Sequence, residues 1–428
     1  MVEHASSWYA ASLPPDLDTL RDPLDGDASF DVSIVGGGFT GISAAYHLAK
    51  AGFRVIVLEA QRVGWGASGR NGGQIHPGFR KELSWFAEKM GDDIAERVKS
   101  AADDALAHLD GLIRDHAIAC DRKYGLITAC RSQKDFEEEI LAAEEAQTRF
   151  GADAPDILDA GQTSDALGTS GHVGGLVDHR GGHLHPLSFV TALAKAAEAE
   201  GAVVCDRTPV LSIETGSGHV AAVTARGTVS AQTMVLCGNG LMKGLNREMD
   251  SRVLPITNFI VATEPIGAGA PNGILQGGMA AADTRFIVRY WRPTPDGRLL
   301  FGGGEKFHTA FPDDLAAFVR PHLVDIYPSL AETPIAFAWG GTLAVTQHRL
   351  PFIRRVDNRI TVAAGFSGQG VVNAPFAGKI IADALRHDDN LLDLMSTFPC
   401  PRFPGGPAFR APILFLAMSY FALRDRIG

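Results

Sequence analysis

The most constraining feature of this sequence is a strand, a glycine turn, a helix and a second strand, all within residues 31–59. The unit consists of a strand at 31–35, the turn Gly36-Gly37-Gly38-Phe39-Thr40-Gly41, an alanine-rich helix to about 51, and a strand at 54–58 that leads into Glu59. A lone glycine motif can arise for conformational reasons only. Here the strand, the helix and the acid all agree, so the unit predicts an α/β domain that binds a dinucleotide.

Each glycine of this motif has a separate physical reason. Gly36 permits the tight turn, Gly38 lets the backbone approach a pyrophosphate, and Gly41 lets the helix pack closely on the sheet. The helix N-terminus presents unpaired N–H groups to the phosphates. Glu59 is placed to accept the ribose hydroxyls. We therefore expect this unit to bind the cofactor through Gly36, Gly38, Phe39, Thr40, Gly41, Glu59 and Ala60.

Composition excludes several other classes of protein. The chain has 428 residues, of which 46% are hydrophobic, enough for a globular enzyme with two lobes. A net charge of -10 and the absence of a long basic run argue against nucleic-acid binding. The five cysteines are scattered and form no C-x-x-C pair, so we expect neither a disulfide framework nor a metal site, and a cytoplasmic location.

The two ends of the chain carry no targeting signal that we recognise. The N-terminus is polar and does not resemble a secretory leader, so we expect residues 1–28 to form a surface arm. The longest apolar stretch, residues 411–423, is too short to span a bilayer. A helix packed on its own domain is favoured there over a membrane-surface or subunit contact, so membrane association is not expected.

A loop of small residues follows the nucleotide unit. Residues 64–74 contain five glycines, which suggests close approach of the backbone to a ligand, although a flexible surface loop has a similar composition. We expect a second set of cofactor contacts from Gly66, Ala67, Ser68, Arg70, Asn71, Gly72, Gly73 and Gln74.

A second glycine turn lies near the other end of the sequence. A strand at 359–364 runs into Gly365-Phe366-Ser367-Gly368-Gln369-Gly370, and a helix follows from Val371. This turn would expose another helix N-terminus, whose positive end suits a flavin ring; a simple packing turn is the alternative. The expected contacts here are Gly365, Ser367, Gly368, Gln369, Gly370 and Val371, with Val210 and Gly238 from two intervening strands.

These elements predict an interleaved domain organisation. The FAD-binding, Rossmann-like domain of the glutathione-reductase type takes residues 29–120, 186–245 and 335–428, and an antiparallel-sheet substrate domain takes 121–185 and 246–334. FAD is favoured over NAD because both ends of the chain contribute glycine turns and no second complete G-x-G-x-x-G motif follows.

The motifs resemble those of one enzyme family. The likeness covers 3–11, the nucleotide unit, the loop at 66–74, Val177-Asp-His-Arg-Gly-Gly-His-Leu-His-Pro186, 299–304, the turn at 365, 403–406 and 423–428. On these segments the chain resembles the FAD-dependent amine oxidases of the D-amino-acid-oxidase superfamily, and among them the gamma-glutamylputrescine oxidases.

The resemblance implies a reaction. Hydride would pass from an amine carbon to flavin N5, the imine would hydrolyse to an aldehyde and ammonia, and oxygen would reoxidise the flavin to give hydrogen peroxide. The amine would have to arrive uncharged, which an aromatic, low-polarity pocket would favour. Relatives that attach FAD covalently carry a histidine in the early loop, where this chain has Arg70-Asn71, so we expect non-covalent FAD.

The candidate catalytic residues are each open to a structural reading as well. His183 and His185 could face the flavin or the substrate, or could bond local backbone. Arg292 could pair with a substrate carboxylate or lie on the surface. His348 and Arg349, expected on a strand near the late turn, carry the same ambiguity. Gln369 replaces a histidine that relatives have in the late turn, as Phe366 replaces a tyrosine.

Two other functions remain open at this stage. The chain could be an amino-acid dehydrogenase that passes electrons to a quinone or a carrier protein. It could also be a flavoprotein with a structural role and no turnover, although a pocket with flavin-facing loops on both sides argues against this. Neither the exact amine nor the oligomeric state follows from the sequence.

Overall fold

The computed structural model describes residues 3–266, 273–275, 277–285, 287–306 and 311–404. In chain order, its strands are β1 (Ala28–Val35), β2 (Val55–Leu58), β3 (Gln74–Ile75), β4 (Lys123–Cys130), β5 (Asp156–Asp159), β6 (Gly174–His183), β7 (Val203–Cys205), β8 (Val210–Thr215), β9 (Val220–Thr224), β10 (Gly227–Leu236), β11 (Leu254–Thr263), β12 (Ala280–Asp283), β13 (Tyr290–Pro293), β14 (Leu299–Lys306), β15 (Ile335–Val345), β16 (Phe352–Arg355) and β17 (Ile360–Ala364).

The helices of the same residues are α1 (Trp8–Ala11), α2 (Phe39–Lys50), α3 (Leu83–Met90), α4 (Asp92–Asp115), α5 (Gln133–Phe150), α6 (Ala160–Leu167), α7 (Pro186–Ala199), α8 (Arg247–Arg252), α9 (Leu315–Ile326), α10 (Gly370–Leu385) and α11 (Asn390–Thr397). Short 3-10 turns occur at 67–69, 239–241 and 328–330. Pro186 opens α7, where the missing proline N–H costs no hydrogen bond.

The first sheet is the predicted dinucleotide-binding sheet. Its main path is β16-β17-β10-β1-β2-β7, and the pairs from β17 to β7 are parallel. Val32 of β1 lies opposite Val55 on one side and Thr233 on the other. The hairpin of β8 and β9 extends from β10 in antiparallel fashion. Since parallel strands end at the same sheet edge, the turns after β1, β10 and β17 open toward one another.

The second sheet forms the other lobe, in the order β15-β11-β14-β13-β12-β4-β6-β3 with β5 beside β6. It is antiparallel except where β12 runs parallel to β4. β15 is the edge strand of this sheet and pairs with β11 along its whole length. The predicted boundaries assign residues 335–345 to the FAD domain instead. The short β3 joins the sheet as well.

Hydrophobic packing fixes the two lobes. One cluster fills the space between the first sheet and the helices α2, α4, α7 and α10, and another covers the opposite face of that sheet. A third packs α9 against the second sheet around Phe259, Trp291 and Phe301. The closest helix contact is at Gly378 of α10, where a Cβ atom would lie 2.5 Å from the carbonyl oxygen of Thr40 in α2. The last long helix therefore packs directly on the nucleotide helix.

The prediction of a surface arm is wrong for the aromatic residues Trp8 and Tyr9. Trp8 and Tyr9 are buried, and the Trp8 indole donates hydrogen bonds of 3.1 and 3.2 Å to the Asp296 carboxylate in the other lobe. The gain from burying two aromatic rings outweighs the polar character of the flanking residues. Within the described residues, no helix has the length and apolar character needed to cross a membrane. The apolar stretch at 411–423 lies outside the described residues.

Candidate active site

The turn after β1 has the geometry that its glycines predict. Gly36 has a φ of +109°, and a Cβ there would lie 2.9 Å from the backbone nitrogen of Gly238. A Cβ on Gly41 would lie 2.0 Å from the carbonyl oxygen of Gly36, which no side chain can tolerate. Gly41 therefore packs helix α2 against its own turn.

The N-terminus of α2 receives a cap from the small-residue loop. Gly38 is the N-cap residue and has no side chain to bond the helix, but the Ser68 hydroxyl accepts a hydrogen bond of 2.9 Å from the Phe39 N–H. A Cβ on Gly38 would lie 2.8 Å from that hydroxyl oxygen. The loop at 64–74 therefore lies against the nucleotide turn, as the sequence suggested.

Glu59 occupies the predicted position at the end of β2. Its carboxylate accepts hydrogen bonds from the N–H groups of Gly37 at 2.7 Å and Gln61 at 2.8 Å. Burial raises the pKa of this carboxyl group, while these backbone N–H groups act in the opposite direction. The carboxylate is thus oriented by backbone donors, and its remaining lone pairs are available to ribose hydroxyls.

The glycine turns from distant parts of the chain meet at one cavity. The Asn239 side chain accepts a hydrogen bond of 2.9 Å from the Gly365 N–H, which ties the turn after β10 to the turn after β17. A cavity of about 530 Å³ opens between them and is lined by residues of the early turn, the small-residue loop, β15 and the late turn. The turns at 36 and 368 therefore line the same cavity.

A second cavity of about 420 Å³ adjoins the first on the side of the second sheet. The two cavities share Ala67, Asn71, Thr342, Leu343, Ser367, Gly368 and Val371 as lining residues. The second also reaches Asn258 on β11, Tyr290 on β13 and the turn after β15. A ligand in the second cavity would therefore lie against one end of a ligand in the first. We call them the nucleotide cavity and the inner cavity.

The inner cavity is strongly cationic. Arg70, Arg80 and Arg349 line it, and no aspartate or glutamate is among its described lining residues. Arg70 lies over the Trp65 ring at 4.1 Å from the ring centre and donates to the carbonyl oxygens of Trp65 and Gly340 at 2.7 and 3.3 Å. The lining is mainly apolar and includes Tyr290, in line with the low-polarity pocket expected from the sequence, and the guanidinium groups add positive charge to it.

The predicted cofactor contacts divide into three groups. Lining residues of the nucleotide cavity are Gly36, Gly38, Phe39, Thr40, Glu59, Ala60, Gly66, Ala67, Ser68, Asn71, Val210, Gly238, Ser367, Gly368, Gly370 and Val371. Three others, Arg70, Gly72 and Gln74, line the inner cavity. The remaining four, Gly41, Gly73, Gly365 and Gln369, line neither.

These four residues shape the walls from behind. Gly73 has a φ of +73°, and a Cβ there would lie 2.1 Å from the Leu184 carbonyl oxygen. Gly365 has a φ of +74° and donates to Asn239 as described. Gln369 is the N-cap residue of α10, and its carbonyl oxygen accepts a hydrogen bond of 3.2 Å from the Asn373 side chain. The predicted catalytic position of Gln369 is therefore not at a cavity surface.

The structure brings His183, His185 and Arg292 together, but behind the loop rather than in a cavity. The Arg292 guanidinium is buried and donates to the Gly72 carbonyl oxygen at 2.9 Å and to the Tyr9 hydroxyl at 3.2 Å, and one of its nitrogens lies 3.3 Å from His183 Nδ1. All of these partners are neutral. Arg292 is thus neither on the surface nor directed at a substrate carboxylate, because its donors are occupied by the loop and the arm.

Both histidines of this cluster have structural hydrogen bonds. His183 Nε2 lies 2.9 Å from the Gly278 carbonyl oxygen, and His185 Nδ1 accepts from the Ser188 N–H at 3.0 Å as the N-cap of α7. Burial, together with the nearby Arg292 charge, lowers the pKa of each to about 3. The structural interpretation is therefore supported over a catalytic role for both.

His348 lies in a turn after β15 and not on a strand, as the sequence had suggested. Its ring is 6.2 Å from that of Trp85, and it lines neither cavity. Its neighbours in sequence, Gln347 and Arg349, line the inner cavity instead.

Sequence reasoning missed several lining residues of the inner cavity. They are His76, Arg80, Asn258, Thr342 and Leu343. His76 and Arg80 follow the small-residue loop closely enough that extending the candidate segment would have included them. No local pattern marks Asn258 within its strand, since only the alignment of β11 with β14 and β15 directs it to the cavity.

Comparison with known proteins decides the family. Residues 31–384 match the model of the DAO family, described as FAD dependent oxidoreductase. This chain belongs to that family. It is 38% identical to a probable oxidoreductase, OrdL, of Rhizobium meliloti, covering 98% of this chain and 97% of the relative. It is 33% identical to the gamma-glutamylputrescine oxidoreductase of Escherichia coli, with both chains covered fully.

A solved structure supports the fold. Glycine oxidase from Geobacillus kaustophilus aligns with a TM-score of 0.75 at 21% identity, covering 88% of this chain and all of that one. The predicted fold class is thereby confirmed, and membership of the family confirms the enzyme class and the FAD cofactor. The nucleotide cavity fits this cofactor, because Gly36 and Gly38 leave room that a Cβ would fill and Glu59 offers an oriented carboxylate.

Proposed function

We propose that the protein oxidises the C–N bond of an amine that also carries a carboxylate, with gamma-glutamylputrescine as the representative substrate. The observation that carries this proposal is the inner cavity, which has three arginines and no acid among its described lining residues and which adjoins the nucleotide cavity. The assignment of the lining residues to cofactor and substrate contacts is part of the same proposal.

The reaction balances with oxygen as the final acceptor. FAD held in the nucleotide cavity would supply the redox chemistry, as acceptor of a hydride and its two electrons from the carbon that bears the nitrogen. The amine thereby becomes an imine, and water converts the imine to an aldehyde and ammonia. Oxygen takes up two electrons and two protons to give hydrogen peroxide, which restores the oxidised cofactor.

The arginines favour this substrate class for two reasons. A guanidinium binds a carboxylate through two parallel hydrogen bonds, and these are stronger than hydrogen bonds between neutral groups. The same positive charge disfavours an ammonium ion, so it lowers the pKa of a bound amine and promotes the uncharged form that can lose a hydride. A simple diamine would find no acid among the described lining residues for its second ammonium group.

The protein's own groups position the reactants. Ser367 and Gly368 bring the N-terminus of α10 to the wall that both cavities share. The positive end of this helix would stabilise negative charge that develops on a reduced flavin. Asn71 fixes the opposite wall, because its side chain donates to the carbonyl oxygens of Ala67 and Ser68 and accepts from the Gly73 N–H at 2.7 Å.

An anaerobic test separates the candidate substrates. The purified holoenzyme is mixed with gamma-glutamylputrescine, putrescine, sarcosine, glycine and D-alanine in turn, and flavin bleaching is recorded. We expect rapid bleaching by gamma-glutamylputrescine and none by putrescine, which lacks a carboxylate. Bleaching by putrescine alone would refute the proposed substrate class.

Admission of air then identifies the electron acceptor. Stoichiometric peroxide supports an oxidase. Bleaching by an amino acid without peroxide would instead favour the dehydrogenase that passes electrons to a quinone or a carrier protein. Non-covalent FAD predicts that acid precipitation releases all of the flavin into the supernatant. Polyamine catabolism and a cytoplasmic location remain predictions from the sequence and from the named relative.

A further inference from the structure

A histidine that the sequence reasoning did not select lies in the wall of the inner cavity. His76 follows β3 directly and is half-buried. Its Nε2 atom is 3.1 Å from the Oε1 atom of Gln74, two residues earlier. Among the described residues that line this cavity, it is the only histidine.

Gln74 determines which nitrogen of His76 carries the proton. The Gln74 amide nitrogen donates to the carbonyl oxygens of Ala281 at 2.8 Å and Trp291 at 3.2 Å. These two acceptors fix the orientation of the amide, so its oxygen points toward His76. The proton must therefore lie on Nε2, and the neutral ring has its lone pair on Nδ1. Among the described residues, the His76 ring makes its side-chain hydrogen bond through Nε2, to Gln74.

The environment of His76 keeps the imidazole neutral. Burial is the main cause and the nearby Arg80 charge adds to it, while Asp178 acts in the opposite direction; the pKa falls to about 4. The ring is therefore a hydrogen-bond acceptor at neutral pH.

We propose that His76 Nδ1 accepts a hydrogen bond from the substrate amine and so directs the carbon–nitrogen bond for hydride loss. The inference rests on the function proposed above. It places the nitrogen end of the substrate at His76 and the carboxylate end at the arginines.

The composition of the cavity makes such an acceptor valuable. The arginines are donors only. The Asn258 oxygen accepts from the Tyr290 hydroxyl, and the Thr346 and Ser367 hydroxyls donate to backbone carbonyl oxygens. These oxygens keep lone pairs, but an imidazole nitrogen is a more basic acceptor than an amide or hydroxyl oxygen. As hydride leaves, positive charge develops on the substrate nitrogen, so a hydrogen bond from its N–H to Nδ1 strengthens in the transition state.

Two substitutions at His76 test the roles of its two ring nitrogens separately. The side-chain amide of asparagine occupies roughly the position of Nδ1, and that of glutamine roughly the position of Nε2. His76→Asn therefore keeps an acceptor for the substrate, whereas His76→Gln keeps only the contact with Gln74. His219→Gln is the matched control, because His219 is exposed at the β8–β9 hairpin.

The holoenzymes are compared by two measurements. Anaerobic stopped-flow gives the limiting rate of flavin reduction by gamma-glutamylputrescine. Titration with gamma-glutamylbutylamine, which has the same carboxylate but no terminal amine, gives a dissociation constant from the change in flavin absorbance. We expect the rate of flavin reduction in His76→Gln to be lower than in the wild type by about tenfold or more, because a charge-assisted hydrogen bond to the substrate is lost. The dissociation constant of this variant for gamma-glutamylbutylamine should equal that of the wild type.

The same measurements can overturn the inference. We expect His76→Asn to stay within about threefold of the wild-type rate, as one neutral acceptor replaces another. If His76→Gln matches the wild-type rate, or if both variants lose affinity for gamma-glutamylbutylamine equally, His76 is a structural residue and the inference is wrong. If no carboxylated amine reduces the wild-type flavin, the proposed function fails first and this inference fails with it.

Discussion

The nucleotide cavity and the inner cavity are built in different ways. The nucleotide cavity is lined by short continuous segments, 36–40, 58–61, 64–68 and 237–242 among them, and glycines bring their backbones close. The inner cavity is lined mainly by side chains from elements far apart in the sequence, such as Arg80, Asn258, Tyr290 and Arg349. One cavity is a property of local backbone geometry, and the other is a property of the assembled lobes.

This difference has consequences for substitution. A backbone contact has no side chain to exchange, so a change there must move the chain and affects folding and cofactor binding together. A lining side chain in the inner cavity can be exchanged while the scaffold stays in place. Substitutions in the nucleotide cavity should therefore reduce FAD binding, and those in the inner cavity should change substrate affinity or the rate of flavin reduction while FAD stays bound.

The largest effect is expected at Gly41. Gly41→Ala would place a methyl group 2.0 Å from the Gly36 carbonyl oxygen, so helix α2 or the turn must move. We expect protein purified without bound FAD and a fall in Tm. In the control Gly111→Ala, the nearest atom is 3.8 Å away within α4, and we expect full FAD content with stability unchanged or raised by up to about 1 kcal/mol. A Gly41→Ala protein with full FAD content would contradict the local-backbone account.

A smaller loss is expected at Arg292. Arg292→Met leaves the Gly72 carbonyl oxygen and the Tyr9 hydroxyl without their donor in a buried position. We expect the free energy of unfolding to fall by about 3 kcal/mol, measured by guanidinium denaturation, because unsatisfied buried polar groups are costly. An unchanged stability with a strongly raised KM would instead favour the predicted role of Arg292 in carboxylate binding.

Arg349 tests the other side of the comparison. Arg349→Met removes one guanidinium from the inner cavity, and we expect KM for gamma-glutamylputrescine to rise by about 10- to 100-fold with little change in kcat, since uniform binding energy is lost. FAD content should remain complete. The exposed Arg97, changed to Met, should leave both constants unchanged. A loss of FAD from the Arg349 variant would mean that the two cavities are not separable.

The smallest effect concerns a site outside both cavities. Burial first, and then the charges of Glu82, Asp135 and Glu138, raise the pKa of Glu139 from 4.5 to about 7. Ionisation of Glu139 therefore destabilises the folded state. The stability that the protonated carboxyl group preserves is fully present below pH 4.5 and is lost as pH rises through 7. We expect Glu139→Gln to raise the free energy of unfolding by about 1 kcal/mol at pH 8 and by nothing at pH 4.5. Activity per bound FAD should not change. An equal gain at both pH values would show that charge is not the cause.

The features that could be predicted from the sequence are those set by local backbone geometry, and the features that could not are those set by the assembled lobes. The strand, turn and helix around residues 36–41 and the strand before Glu59 were predicted, because such a short segment determines its own geometry. The sequence did not show that β15 pairs with β11 in the second sheet, because that pairing joins segments far apart in the chain. The arm was wrong because burial of Trp8 and Tyr9 depends on a surface formed by the other lobe.

By itself the sequence determined the nucleotide fold, the FAD class and the position of both glycine turns, since these depend on backbone conformations that neighbouring residues impose. Only the tertiary structure decided that Arg292 is buried behind the loop while Arg349 and His76 line the cavity. An arginine looks the same in a sequence whether it faces a ligand or a carbonyl oxygen. Its role is fixed by the non-local packing that decides which groups surround it.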